Sequence, residues 1–164
     1  LANVFRKPEI KDLVDYVFGV ETGLDTNARK NRSGEITEKL VAKIFANANL
    51  EYSQQVSSNT FPAVANVLGA DQKVFDFVIK TVTKTYLIEV NFYSGGGSKL
   101  NEVARSYTDV APKVNSIEGF EFVWITDGIG WNTAKHNLEE TFDVLDTLYN
   151  LKDLDEGVLT SLFK

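Results

Sequence analysis

Residues Val74 to Tyr93 read V-F-D-F-V-I-K-T-V-T-K-T-Y-L-I-E-V-N-F-Y, a pattern that predicts two apolar β-strands joined by a short polar turn. Each strand carries one acid among hydrophobic neighbours, Asp76 in the first strand and Glu89 in the second. A carboxylate inside a buried strand is strongly unfavourable unless something compensates its charge. Two converging carboxylates are usually compensated by a divalent metal ion. The stretch therefore predicts metal-dependent chemistry.

Side chains alternate between the two faces of a strand, so Glu89 and Asn91 are expected on the same face as Leu87. Asp76 interrupts the first strand on the face of Val74 and Val78. If the two strands are neighbours in one sheet, Asp76 and Glu89 meet across it, where their charges repel unless a cation binds or a proton is shared. The alternative is that both acids lie at strand ends and face solvent.

Composition predicts one globular domain over residues 1–164, since 43% of the residues are hydrophobic and 12% are aromatic. The chain has no cysteine, which excludes disulfides and cysteine-based zinc sites, and no apolar run approaches the ~20 residues of a membrane span. We expect a cytoplasmic prokaryotic protein that has no contact with a membrane. Because the chain begins at Leu1 and contains no methionine, we expect it to be part of a longer protein.

Apolar periodicity predicts an α/β fold with a mixed central sheet flanked by helices. The segment Glu51 to Ala70 has no clear assignment. The other predicted elements are a helix over Pro8 to Phe18, a polar loop over Glu21 to Gly34, a helix capped by Ser33 and ending near Ala48, a helix from about Ser98 with a kink at Pro112, a central strand over Phe120 to Thr126, and a helix over Thr133 to Tyr149.

Asp76 followed by Glu89-Val90-Asn91 is similar to the acid pattern of the PD-(D/E)XK nuclease superfamily. The flanking segments resemble the DpnII/MboI family of type II restriction endonucleases over nearly the whole chain, as the family's C-terminal catalytic region. The segments that carry this resemblance are G-L-D-T-N-A-R-K-N-R-S-G at Gly23 to Gly34, L-I-E-V-N-F-Y-S-G-G-G-S-K-L-N-E-V-A-R-S-Y at Leu87 to Tyr107, and F-E-F-V-W-I-T-D-G-I-G-W at Phe120 to Trp131.

The resemblance implies Mg²⁺-dependent cleavage of double-stranded DNA at GATC, before the G, without a covalent enzyme intermediate. Asp76 and Glu89 would hold the metal, and Glu38 would match the first-helix acid of many such nucleases, unless it is an ordinary surface acid. Asn91 stands where the superfamily has lysine, and an asparagine supplies no positive charge. Either the metal ion supplies more of the positive charge or another basic side chain reaches the site. Lys99 is the predicted side chain. The alternatives for Lys99 are that it binds a DNA phosphate or is only solvated.

Several further residues are expected to contact DNA: Arg29, Lys30, Arg32, Gly96, Gly97, Ser98, Lys99 and Arg105. The three basic residues of the polar loop would follow the DNA backbone or read guanine edges, the alternative being a solvated charge cluster. The glycines would bring backbone N–H groups to a phosphate or simply form a flexible connection. Trp124 is predicted in the core, whereas Trp131 is the tryptophan better placed to face DNA.

A palindromic target predicts a homodimer with one active site for each strand. A cognate adenine methyltransferase would act on the same DNA site without necessarily binding this protein. Two other functions remain open. One is a PD-(D/E)XK nuclease of other specificity, such as a repair or junction enzyme, and the other is a DNA-binding module whose catalysis has decayed.

Overall fold

The computed structural model describes residues 26–163, which contain both helices and strands. In chain order they are α1 (Thr26–Asn47), β1 (Tyr52–Ser57), a 3-10 turn (Ser58–Thr60), α2 (Pro62–Leu68), β2 (Val74–Lys80), β3 (Thr85–Phe92), α3 (Ser98–Asn115), β4 (Phe120–Asp127), a second 3-10 turn (Ile129–Thr133), α4 (Lys135–Phe142), β5 (Leu148–Tyr149), α5 (Leu151–Asp155) and α6 (Leu159–Leu162).

The five strands form one sheet in the order β1-β2-β3-β4-β5. The first three strands are antiparallel, and β4 runs parallel to both β3 and β5. A parallel neighbour requires a crossover connection, and α3 supplies it between β3 and β4. The predicted α/β class with a mixed sheet flanked by helices is confirmed.

The sheet separates two apolar layers, because successive side chains of its strands point to opposite faces. Leu87, Phe122 and Trp124 pack with α2 and α3, and we call this the α3 layer. Val123 and Ile125 pack on the other face with α1, α5 and α6, and we call this the α1 layer. Strand β4 is therefore covered on both faces, as its continuous apolar sequence predicts.

Helix α1 differs from the prediction because it begins at Thr26 and not after a cap at Ser33. The backbone of Arg29, Lys30 and Arg32 is therefore helical and not a polar loop. Arginine, lysine and alanine are good helix formers, and a single glycine such as Gly34 inside a helix costs only about 1 kcal/mol. The side chains of the three basic residues and the predicted helix over Pro8 to Phe18 lie outside the described part.

The predicted helix over Thr133 to Tyr149 is wrong, because α4 ends at Phe142 and Leu148–Tyr149 form strand β5. The backbone of this segment leaves the helical pattern to pair with the free edge of β4, where Thr147 O accepts a hydrogen bond from Trp124 N at 2.9 Å. Leu145 is at the same time fully buried in the α3 layer. A strand edge and a buried leucine together outweigh the local helix pattern.

The segment Glu51 to Ala70, which has no clear assignment from the sequence, contains β1 and α2. Helix α3 continues through Pro112 to Asn115 without a break in its helical assignment. The apolar face predicted for α3 is confirmed, since Leu100, Tyr107 and Val114 are buried. Within residues 26–163, no helix is long and apolar enough to cross a membrane.

Candidate active site

Asp76 and Glu89, the two acids of the segment Val74 to Tyr93, meet where the pairing between β2 and β3 ends. The antiparallel register runs from Lys80 opposite Thr85 to Phe77 opposite Ile88 and does not continue to Asp76. Instead, Asp76 Oδ2 accepts a hydrogen bond from the backbone N–H of Val90 at 2.8 Å. A side-chain carboxylate thus takes the place of a backbone acceptor, and this brings it beside Glu89.

Strict face alternation breaks at this point of β2, which sequence periodicity does not predict. Phe77 and Ile79 face the α1 layer, as alternation requires, but Phe75 packs in the α3 layer together with Val78. The predicted alternation around Glu89 is confirmed, since Leu87 lies in the α3 layer with the Glu89 partner Tyr107. The break in β2 turns the Asp76 backbone so that its carboxylate reaches β3.

Glu89 is only 7% exposed and is held from two sides. The Tyr107 hydroxyl donates a hydrogen bond to Glu89 Oε2 at 2.8 Å, and Lys73 Nζ lies 3.6 Å from Glu89 Oε1. Among the described residues, the buried Oε1 atom has no hydrogen-bond partner. Burial, assisted by the charge of Asp76 and opposed by Lys73, raises the pKa of Glu89 to about 7. The Glu89 carboxylate is therefore well placed to bind a cation through Oε1.

Glu38 of α1 joins the site through an amide. Gln55 Nε2 donates to Glu38 Oε2 and to Asp76 Oδ1, in both cases at 3.2 Å. Burial first and the charge of Asp76 second raise the pKa of Glu38. Burial also raises the pKa of Asp76, opposed by its hydrogen bonds from Val90 and Gln55. The structure thus brings the first-helix acid next to the strand acid.

The carboxamide oxygen of Asn91 accepts a hydrogen bond from Trp124 and lies near the Tyr107 hydroxyl. Trp124 Nε1 donates to Asn91 Oδ1 at 3.0 Å, and the Tyr107 hydroxyl lies 3.2 Å from the same atom. An indole nitrogen is a donor only, so it selects the amide orientation in which Oδ1 faces Trp124. The Asn91 NH₂ group is then left as a donor for other partners. Trp124 is a core residue, as predicted, and it also orients a residue of the site.

The cation beside the acids is Lys73, which sequence reasoning did not select. Its Nζ atom lies by Glu89 and also 4.8 Å from the centre of the Tyr107 ring. Lys99 is exposed in the first turn of α3, and none of its described contacts reaches the acids. The sequence signal for Lys73 is its position immediately before β2, three residues ahead of Asp76.

The glycine segment after β3 is held by the loop after β4. A Cβ atom on Gly96 would collide with the Thr133 hydroxyl, and one on Gly128 would collide with the carbonyl of Tyr93. Gly128 also has a φ of 115°, which side chains rarely adopt, and Gly130 N donates to Tyr93 O at 2.8 Å. Gly96 and Gly97 remain exposed, as do Ser98, Lys99 and Arg105, so all five are accessible to a ligand.

Trp131 does not face solvent, so the prediction that it is the tryptophan placed to meet DNA is wrong. It is 7% exposed, donates its indole N–H to Thr126 Oγ1 at 3.0 Å, and packs edge-on against Tyr93 and Trp124. The 3-10 turn between β4 and α4 folds the ring back over the sheet. A tryptophan next to glycines in a loop sequence gives no indication of this.

The donor set fits a magnesium ion. Within the described part of the chain, no group of three or more acids, histidines or cysteines is gathered closely enough to enclose a metal. Magnesium does not need such a cage, because it is usually bound by one or two carboxylates, several waters and substrate phosphates. Asp76 and the unsatisfied Oε1 of Glu89 match that requirement.

Comparison with known proteins identifies the family of this chain. The model of the DpnII restriction endonuclease family matches residues 1–161. The chain belongs to the DpnII restriction endonuclease family. The resemblance found in the sequence is thereby confirmed.

Three curated relatives support membership of the DpnII family. The type II restriction enzyme MboI of Moraxella bovis is 58% identical over 154 residues, which are 94% of this chain and 55% of the relative. The type II restriction enzyme DpnII of Streptococcus pneumoniae is 47% identical over 165 residues, 93% of this chain and 57% of the relative. The type II restriction enzyme MjaIII of Methanocaldococcus jannaschii is 43% identical over 173 residues, 99% of this chain and 60% of the relative. The chain thus spans somewhat more than half the length of these relatives.

The buried acid of this DpnII-family site makes stability depend on pH. Because the pKa of Glu89 is raised to about 7, the folded state keeps a proton that the unfolded chain releases near pH 4.5. The stability that Glu89 contributes is therefore fully present below pH 4.5 and is lost as pH rises towards 7, by about 3 kcal/mol. Urea unfolding at pH 5 and pH 8 without divalent cations should show this loss, and Glu89→Gln should remove much of it. Equal losses in both proteins would contradict the assignment.

Proposed function

We propose that this chain is the catalytic domain of a type II restriction endonuclease that cleaves double-stranded DNA at GATC, before the G, by Mg²⁺-dependent hydrolysis. The observation that carries the proposal is the meeting of Asp76 and Glu89, with a buried carboxylate oxygen left without a hydrogen bond and a lysine alongside. Family membership supports the reaction class, and the chemistry of the two acids supports the metal.

Each residue of the site has a definite task in this proposal. Asp76, fixed by the N–H of Val90, and Glu89, fixed by Tyr107, hold Mg²⁺. When bound, Mg²⁺ neutralises charge on the scissile phosphate and lowers the pKa of the attacking water. Lys73 adds positive charge next to Glu89 to stabilise the charge that develops on the phosphate. The NH₂ group of Asn91 donates to a phosphate oxygen, since its own oxygen is already engaged by Trp124.

Burial keeps Tyr107 in its donor form throughout the reaction. Its pKa is raised well above the usual range by burial and by the charge of Glu89, so the hydroxyl retains its proton at physiological pH. A hydroxyl carries one hydrogen, and the Tyr107 oxygen lies closer to Glu89, at 2.8 Å, than to Asn91, at 3.2 Å. Tyr107 therefore orients Glu89 Oε2 and leaves Oε1 for the cation.

The DNA is proposed to lie over the acids and to contact residues of α1 and α3. Arg29, Lys30 and Arg32 are proposed to contact the DNA from the first turns of α1. The exposed segment Gly96, Gly97, Ser98 and Lys99, together with Arg105, is proposed to contact it from α3 and the loop that precedes this helix. A palindromic target implies a homodimer with one site for each strand, and a cognate adenine methyltransferase would modify the same sequence.

Digestion of plasmid DNA tests the proposed function. Unmethylated plasmid incubated with the protein and Mg²⁺ should be cut before the G of every GATC, and adenine-methylated plasmid should stay intact. Sequencing of the fragment ends measures both results. Ends at other sequences would favour a nuclease of different specificity. Sequence-specific binding without cleavage in Mg²⁺ or Mn²⁺ would favour a DNA-binding module.

A further inference from the structure

Gln55 of β1 has a backbone conformation that its residue type disfavours. Its φ is 52°, in the left-handed region that residues other than glycine and asparagine seldom occupy. Positive φ values are common at turns, but Gln55 lies inside a strand. Non-glycine residues of this kind persist where surrounding structure imposes them, and they cluster at functional sites.

The sheet register opens at the same place. Gln54 pairs with Phe77 and Val56 pairs with Phe75, but the intervening residues, Gln55 and Asp76, have no register pair. Asp76 is also the residue at which β2 stops pairing with β3. The local departure from regular β-structure therefore involves both β1 and β2 at the position of Asp76, the proposed metal-binding acid.

The unusual backbone directs the Gln55 amide between two carboxylates on different elements. One NH₂ group donates to Glu38 of α1 and to Asp76 of β2 at equal distances of 3.2 Å. The two acids repel each other, since the charge of Asp76 contributes to the raised pKa of Glu38. A primary amide offers two N–H donors from one nitrogen, which is what two adjacent carboxylates require.

We propose that Gln55 is a positioning residue that holds the Glu38 carboxylate beside Asp76 and thereby completes the magnesium site. This inference rests on the proposed function, because it assigns Gln55 a task in the same site. Gln55 links the rigid helix α1 to the strand acid through one side chain, so Glu38 stays directed at the site. Partners that orient metal-binding carboxylates typically change metal affinity or activity 10–100-fold, so an effect of about tenfold is expected.

Gln55→Met is the first test, because methionine keeps the length of the side chain and removes both donors. Gln54→Met is the matched control, since Gln54 is the adjacent exposed glutamine of the same strand and none of its described contacts involves an acid. Calorimetric titration with Mg²⁺ in the absence of DNA should show affinity reduced about tenfold in Gln55→Met and unchanged in Gln54→Met. The Mg²⁺ concentration for half-maximal cleavage should rise by the same factor.

Gln55→Gly distinguishes loss of the amide from a folding defect, because glycine adopts a φ of 52° without strain. Its melting temperature should equal or exceed that of the parent while Mg²⁺ affinity falls as in Gln55→Met. A double-mutant cycle with Glu38→Ala adds a sharper criterion: loss of Gln55 should have a clearly smaller effect when Glu38 is absent.

Unchanged Mg²⁺ affinity in both Gln55 variants, or full additivity with Glu38→Ala, would overturn the role of Gln55 while the parent protein still binds Mg²⁺ and cuts DNA. A parent protein that neither binds Mg²⁺ nor cuts DNA would overturn the proposed function itself, and the role of Gln55 with it. The two failures are therefore distinguishable from the parent protein alone.

Discussion

Glu89→Gln is expected to reduce cleavage at least about 10³-fold while leaving the protein folded and able to bind duplex DNA. The change removes one of the two charges proposed to hold the metal, and a metal supplies several kcal/mol of transition-state stabilisation, with each 1.36 kcal/mol worth tenfold in rate. Glutamine keeps the shape of the side chain and still accepts a hydrogen bond from Tyr107. Single-turnover cleavage in Mg²⁺ measures the loss, and a gel-shift assay in Ca²⁺ measures binding.

Asp76→Asn should have an effect of the same size for the same reason. The asparagine oxygen can still accept the hydrogen bond from Val90, so the junction between β2 and β3 is preserved while the charge is lost. Glu121→Gln is the matched control, because Glu121 is also a strand glutamate paired with a lysine, Lys84, but outside the site. Turnover retained in Glu89→Gln or Asp76→Asn, or lost in Glu121→Gln, would contradict the metal assignment.

The part of the site that follows from strand periodicity was predictable. An acid inside an apolar strand is conspicuous because burial of its charge is unfavourable, and Glu89 and Asn91 share a face because side chains alternate. Both contact Tyr107, which the predicted apolar face of α3 already directed at the sheet. These features depend on local patterns and on the adjacency of two strands, which a short turn favours.

Gln55 was not predictable because β1 lacks the pattern by which strands are found. Its sequence Y-S-Q-Q-V-S shows no regular alternation of apolar residues, and half of its residues are exposed. The strand forms because β2 offers a free edge for pairing. The contact of Gln55 with Glu38 and Asp76 depends in addition on the break in register at Asp76, which arises only when both strands and α1 are packed together.

Lys73 was missed for a different reason. Superfamily resemblance directs attention to the position two residues after Glu89, which Asn91 occupies, and then to the basic residue after the glycines, Lys99. Lys73 precedes β2 and reaches Glu89 only because the chain enters the sheet beside the Tyr107 ring. That geometry depends on how α3 packs over β2, a contact between elements that are distant in sequence.

Lys73→Met is expected to lower the rate of cleavage about 10²–10³-fold, the usual effect of removing one group that stabilises transition-state charge. Asn91 supplies no charge, so Lys73 is the positive group that the described contacts place next to Glu89. Its attraction also lowers the pKa of Glu89 against the effect of burial. In Lys73→Met that pKa should rise further, so the acidic limb of the cleavage profile should move to higher pH. Single-turnover rates between pH 6 and pH 9 measure both effects.

Two other lysine variants separate charge from packing in this prediction. Lys73→Arg keeps a cation near Glu89 and should retain most of the rate, whereas methionine keeps only the contact with the Tyr107 ring. Lys84→Met breaks an ion pair with Glu121 at the far end of β3 and should cut DNA normally. If Lys73→Met kept the parental rate and pH profile, the metal and the Asn91 amide alone would have to stabilise the phosphate. A loss in Lys73→Met that arginine restores would show that the cation usually placed two residues after the glutamate is supplied here from the start of β2.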